Sequence, residues 1–137
     1  FEMWAPDVYA TYSDAHKRII AENALLDCLH SSDPTKIPFA SIAANLGPQT
    51  VCYKHRDLKN KANGLCIIYV LGNFDYRRGG HVILHEAKLV VEMRPGDALF
   101  IPSAVISHET VPIFEGEERY SLVLYSAGGL FRWLDGG

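Results

Sequence analysis

Tyr53-Lys54-His55-Arg56-Asp57 places an imidazole and a carboxylate two residues apart, and Ser107-His108-Glu109 and Glu118-Arg119-Tyr120-Ser121 follow it in that order. In an extended strand residues two apart face the same way. His55 and Asp57 can therefore offer a ring nitrogen and a carboxylate oxygen to one metal ion while Arg56 points away. His108 lies far enough beyond Asp57 for several strands to wrap round and return to the same point. Two histidines and one carboxylate on one face of an octahedron form the ligand set of non-haem Fe(II) oxygenases, with the opposite face left open. Arg119 is spaced to lie on the next antiparallel strand and face inward. There its guanidinium can grip the far carboxylate of a dicarboxylate in a bidentate fork while the other end of that molecule chelates the metal.

Taken singly, each residue has an ordinary explanation. A His-x-Asp pair recurs by chance, a lone histidine near a strand end is more often hydrogen-bonded than a ligand, and a lone arginine is usually a surface cation. Their order and spacing carry the weight. An arginine leading into Tyr120-Ser121-Leu122-Val123-Leu124 does not belong to a fully exposed stretch. A competing set exists: Pro95-Gly96-Asp97, Ile101-Pro102 and His108 look like half of a cupin signature, with His81, His85 and His108 as ligands and no need of a keto acid. That set leaves His55, Asp57 and Arg119 without a role and spaces its first two histidines as His-x-x-x-His instead of His-x-His. A third reading is a non-catalytic binding module that keeps the barrel and has lost turnover.

The elements that must position these residues are a helical start and a strand-rich remainder. Ser13 or Asp14 can cap a helix carrying Ile19, Ile20, Ala24, Leu25, Cys28 and Leu29 at helical spacing, ended by Asp33-Pro34. From Phe39 onward short apolar runs alternate with turn signals: Phe39 to Leu46, Thr50 to Lys54, Leu65 to Leu71, His81 to His85, Lys88 to Met93, Ala98 to Ile101, Val105 to Val111 and Arg119 to Ser126. Cys66-Ile67-Ile68-Tyr69-Val70-Leu71 has the look of a strand buried on both faces. Asp75 to Gly80 and Arg94-Pro95-Gly96-Asp97 are turns. Many short strands behind one helix predict a mainly β, antiparallel jelly roll, a double-stranded β-helix with the helix outside.

Composition narrows the function classes. At 137 residues the chain is long enough for one domain with a real core, with residues 1–35 as helical support and 36–137 as the barrel. A net charge of −3 and a pI near 6.0 provide no overall field to draw the chain to a polyanion. Cys28, Cys52 and Cys66 are too few and too scattered for a disulfide framework or a thiolate zinc site, which fits a reducing intracellular compartment, nuclear or cytoplasmic. No apolar run approaches the ~20 residues that span a bilayer, and no basic-then-apolar signal opens the chain. The chain begins at Phe1 instead of Met, as a piece of a longer protein would.

His55-Arg56-Asp57, Leu71 to Asp75, Gly79 to Leu84, Pro95 to Ala104, Ser107-His108, Glu118 to Ser121 and Ala127 to Trp133, in that order, resemble the fungal 2-oxoglutarate/Fe(II) dioxygenases of the TET/JBP-like group, the transposon-associated basidiomycete set. The resemblance runs from Phe39 to Asp135. It implies that His55, Asp57 and His108 ligate Fe(II), and that Arg119 with Ser121 binds the distal carboxylate of 2-oxoglutarate. It implies that dioxygen oxidises that keto acid to succinate and carbon dioxide as a substrate C–H bond is hydroxylated. The group's substrates imply 5-methylpyrimidine oxidation in DNA. Lys54, Arg56, Lys59, Lys61, Arg77 and Arg78 are the cations for phosphates, and Tyr53, Tyr69, Phe74, Tyr76 and Trp133 the aromatics for stacking a flipped base. His85-Glu86, just after Leu84, puts a histidine on a strand and is the part of the chain not placed against that pattern.

Overall fold

The computed structural model describes residues 1–22 and 37–136. Among these residues seven strands form two antiparallel sheets: β1 (Ser41–Asn45), β7 (Glu118–Tyr125), β2 (Cys66–Asn73) and β5 (Ala98–Ile101) in one, and β4 (Leu89–Val91), β3 (Val82–Leu84) and β6 (His108–Thr110) in the other. From β2 onward the chain passes repeatedly between the two sheets, with β3 and β4 paired as a hairpin within one of them, in the manner of a jelly roll. Alternation decides which side chains meet. Cys66, Ile68 and Val70 of β2 point inward to meet Val82, Leu84, Met93 and Ile101 in one buried cluster. Ile67 points outward with Leu124 of β7, against Tyr12, Ala15, Phe39, Phe131 and Leu134. The strand read as buried on both faces is thus covered by the second sheet on one side and packed at Ile67 on the other, and Leu71 near its end is exposed.

The outer cluster is helical. α1 spans Pro6–Glu22 and α2 spans Gly128–Leu134. The first helix was expected to start at Ser13 or Asp14, but it begins at Pro6, where the ring's fixed φ suits the first helical position and no N–H is lost. Ser13 is buried inside it. Ala24, Leu25, Cys28 and Leu29 fall outside the described residues. α2 was not among the expected elements; Phe131 and Leu134, three apart, are buried on one face and hold it to the sheet.

Two local outcomes bear on the site. The Arg94–Asp97 turn forms as expected, with Asp97 N–H donating to the Arg94 carbonyl at 2.9 Å and Gly96 at φ +96° after Pro95. The run Thr50 to Lys54, expected as a strand, joins no ladder. It crosses from one sheet to the other, bridging Arg119 of β7 through Gln49 and reaching β6 through Cys52, whose carbonyl accepts from Thr110 N–H at 2.9 Å, and through the His55–His108 bridge. A segment pairing first with one sheet and then with the other cannot build a regular ladder with either. Among the described residues no helix is long and apolar enough to cross a membrane.

Candidate functional site

The crossing segment closes one end of a cavity of about 560 Å³ between the sheets. His55 sits on it and exchanges both backbone hydrogen bonds with His108, His55 N–H to His108 carbonyl at 3.0 Å and the reverse at 2.9 Å. Their rings lie 4.4 Å apart. His108 pairs with the buried Leu84 in the β3–β6 ladder, so its side chain faces in. The expectation that His55 and Asp57 share a strand face fails in its premise: past His55 the chain is irregular, and Asp57 N–H donates to Ser103 instead, at 2.9 Å. The outcome is nevertheless convergence. One ligand atom each from His55, Asp57 and His108 lie within 4.8 Å of one another.

Hydrogen bonds fix which atoms face the common point. His55 Nδ1 lies 2.7 Å from the Tyr53 carbonyl and His108 Nδ1 lies 3.1 Å from the Ile106 carbonyl. A carbonyl can only accept, so each Nδ1 carries the proton and each Nε2 keeps its lone pair for a cation, the arrangement usual behind metal-binding histidines. Asn60 Nδ2 donates to Asp57 Oδ2 at 3.3 Å and to Ser103 Oγ at 3.0 Å, leaving Oδ1 at 3.5 Å from His55 Nε2. Ligand bonds of about 2.0–2.2 Å put two donors on one ion no more than ~4.4 Å apart, so small side-chain rotations close the set. Two imidazole nitrogens and one carboxylate suit Fe(II).

The opposite end is cationic. Arg119, Ser121, Val123 and Tyr125 are alternate residues of β7 and all line the cavity, with Ala43 and Asn45 of β1 in register beside Val123 and Ser121. Arg119 is 2% exposed, and its Nε and Nη2 have no hydrogen-bond partner among the described residues. Loss of hydration pushes its pKa down from the ordinary arginine value, since burial disfavours the charged form. Leaving a guanidinium dry and unpaired costs several kcal/mol, so such a group calls for an anion. Its stem needs Gly80, whose hypothetical Cβ would stand 3.1 Å from Arg119 Cδ and 2.6 Å from Phe74 Cε2.

Other sequence candidates scatter. His81 and His85 flank β3 in the positions opposite Val82 and Leu84, so alternation turns them away from the interior that His108 faces. Neither lines the cavity, and His85 Nε2 lies 3.3 Å from Glu109 Oε1, so the set His81, His85 and His108 is not brought together. Phe74 is core, Tyr76 packs beside it, and Tyr53 and Trp133 are exposed. Arg56 and Lys59 line the cavity, Lys61 Nζ lies 4.4 Å over the Phe131 ring, and Arg78 lies 4.2 Å over Phe114. Sequence reasoning missed Asn60, whose signal was its place one turn after Asp57, and Asn45, whose Nδ2 donates to Ser121 Oγ at 2.9 Å. It also left Glu86 unassigned. That carboxylate is held down to a pKa of about 2, first by the Ser107 hydroxyl and then by Arg56. The Cys66 thiol, lining the cavity, is pushed up to about 11 by burial.

The sequence matches no protein-family model, and comparison with curated proteins gives no match. Solved structures do match. NgTET1 in complex with 5mC DNA aligns with a TM-score of 0.58 at 22% identity over 85% of this chain, which spans 48% of that one. The viral collagen prolyl hydroxylase vCPH from Paramecium Bursaria Chlorella virus-1, in its 2OG complex, aligns at 0.44 and 14% identity, over 77% of this chain and 69% of that one. At these identities the likeness is one of architecture: the chain has a jelly roll like that of NgTET1, mainly antiparallel β with a helix outside.

Proposed function

We propose that the chain is an Fe(II)- and 2-oxoglutarate-dependent dioxygenase of the TET/JBP-like type, with His55, Asp57 and His108 as iron ligands and Arg119 with Ser121 as the cosubstrate anchor. The observation that carries this reading is that Arg119, buried in the same cavity as the three ligands, leaves Nε and Nη2 of its guanidinium without a partner among the described residues. A dicarboxylate gripped by Arg119 at one end satisfies the dry cation, and its other end lies toward the metal. Ser121 Oγ accepts from Asn45 Nδ2, which leaves the hydroxyl proton free to donate to the same carboxylate. When bound, Fe(II) with 2-oxoglutarate supplies dioxygen activation, and the substrate C–H bond is hydroxylated. The chain's own task is to hold the donors, fix their tautomers and exclude water.

The substrate we favour is a 5-methylpyrimidine in DNA. NgTET1 was solved with 5mC DNA, and Lys59 at the cavity with Lys54 and Lys61 nearby in the chain supply cations for phosphate. The exposed Tyr53 and Leu58 flank His55 and Asp57 and offer an apolar rim for a flipped base. The chain is incubated with Fe(II), ascorbate and 2-oxoglutarate, with and without methylated DNA, and succinate and digested nucleosides are read by mass spectrometry. Succinate formation that requires both iron and the keto acid, with oxidised methylcytosine in the DNA arm, is the expected result. Absence of keto-acid-dependent succinate would end the dioxygenase reading; succinate without oxidised base would end only the DNA reading.

A further inference from the structure

Glu86, the residue outside the expected pattern, is bonded through both carboxylate oxygens to the two chain segments that carry the metal-binding side chains. Oε1 accepts from Arg56 Nη2 at 2.6 Å and from the Ser107 hydroxyl at 2.8 Å, and Oε2 accepts from Ser107 N–H at 2.7 Å. Arg56 Nε closes the ring by donating to Ser107 Oγ at 2.9 Å. Arg56 is the middle residue of His55-Arg56-Asp57, and Ser107 immediately precedes His108. Glu86 itself stands just beyond β3 and is fixed from behind, because the neighbouring His85 N–H donates to the Ser107 carbonyl at 2.9 Å.

We infer that Glu86 is a positioning residue for the metal centre: with Arg56 and Ser107 it forms a strap that holds the His55–Asp57 segment against the His108 strand. The inference rests on the metal reading proposed above. Three observations favour it over an ordinary surface ion pair. First, an ordinary exposed pair is one ion contact and contributes little, whereas Glu86 accepts three hydrogen bonds, from Arg56 Nη2, the Ser107 hydroxyl and the Ser107 amide. Second, one of its bonds is to a backbone amide, which fixes the main chain next to His108 and not merely a side chain. Third, the segment it holds is the one with no ladder of its own, where beyond the His55–His108 bridge the chain is irregular. The strap also engages Arg56, whose guanidinium points to Glu86 and Ser107 and is thereby withdrawn from the phosphate-binding set.

The test uses Co(II) as a spectroscopic probe in place of iron, titrated by its visible absorption into the full chain and into Glu86→Ala, Glu86→Gln, Arg56→Ala and Arg56→Lys. Removing a group that orients a ligand weakens metal binding by about 10–100-fold. Glu86→Ala is expected to raise the Co(II) dissociation constant by that factor and alter the band shape, with the thermal midpoint unchanged. Glu86→Gln, which keeps an acceptor oxygen for Ser107, is expected to restore part of the affinity. Arg56→Ala and the Arg56→Ala/Glu86→Ala pair should cost no more than Glu86→Ala alone, because both changes break one network. Unchanged affinity and spectrum in a folded Glu86→Ala chain would overturn the strap and leave the metal reading intact. If Glu86→Ala does not fold, Arg56→Lys carries the test, since an ammonium cannot bridge Glu86 and Ser107 as the guanidinium does: weakened Co(II) binding supports the strap and parent-like binding overturns it. A parent chain that takes up no Co(II) overturns both.

Discussion

At one end of the cavity Arg119 and Ser121 sit on alternate positions of an eight-residue strand in the middle of a sheet, while at the other His55 and Asp57 sit on a segment tied in by isolated bridges and single backbone bonds. Strand alternation alone aims the first pair inward, and the ladder to β2 fixes the backbone of both, with Asn45 of β1 beside Ser121 and the isolated Gln49 bridge beside Arg119. The second pair depends on separate local bonds: two imidazoles oriented by the Tyr53 and Ile106 carbonyls, and a carboxylate held by Asn60. Burial follows the same division, since Arg119 is 2% exposed and the His55 side chain 42%. The contrast has a chemical logic. The cationic end must be dry for its charge to count, whereas an ion bound at the proposed metal end would supply its own large charge, and that end would have to admit substrate.

Breaking the metal end should have the largest effect. Asp57→Ala removes the one anionic donor of the set, so the loss of metal affinity should exceed the ~100-fold that bounds the removal of an orienting group. Metal content after dialysis, measured alongside succinate formation, checks this, and iron-dependent turnover retained in Asp57→Ala would contradict the ligand assignment. Breaking the opposite end should be milder and different in kind. Arg119→Ala should keep metal affinity and raise the 2-oxoglutarate KM by about 10–100-fold, since a hydrogen bond to a charged group contributes ~1.5–3 kcal/mol. The same variant should lose the thermal stabilisation that 2-oxoglutarate confers on the parent. An unchanged KM would remove Arg119 from the anchor and leave the ligands standing.

The two ends were also unequally legible in the sequence. Arg119 and Ser121 could be placed because a strand's period of two is written in the residues themselves, with Leu122 and Leu124 on the other phase. The residue types of the metal end were legible, but the reason given for their convergence was not the operative one, because a segment shared between two sheets has no periodicity of its own. Glu86 was illegible for a related reason: its partners lie 30 and 21 positions away and meet it only once β3 and β6 have paired. The early start of α1 was obscured by Ser13, which reads as a cap, and α2 by its length, since seven residues opened by two glycines carry little helical period and the packing of Phe131 and Leu134 decides them.

Gly80 tests the stiffness of the cationic end without touching its polar atoms. The residue has φ +72°, where a Cβ is strained, and that Cβ would fall 2.6 Å from Phe74 Cε2 and 3.2 Å from Arg119 Nε. Phe74 is part of the buried cluster and can yield only by disturbing its neighbours, whereas the arginine stem can shift within the cavity. Gly80→Ala should therefore cost about 1–3 kcal/mol of stability in urea unfolding, from the backbone strain and the crowding at Phe74. It should also move the guanidinium enough to raise the 2-oxoglutarate KM less than Arg119→Ala does, with metal affinity unaltered. If instead Gly80→Ala weakened metal binding and spared the KM, the two ends would not be independently built, and the contrast between a ladder-held anchor and a locally bonded metal site would have to be abandoned.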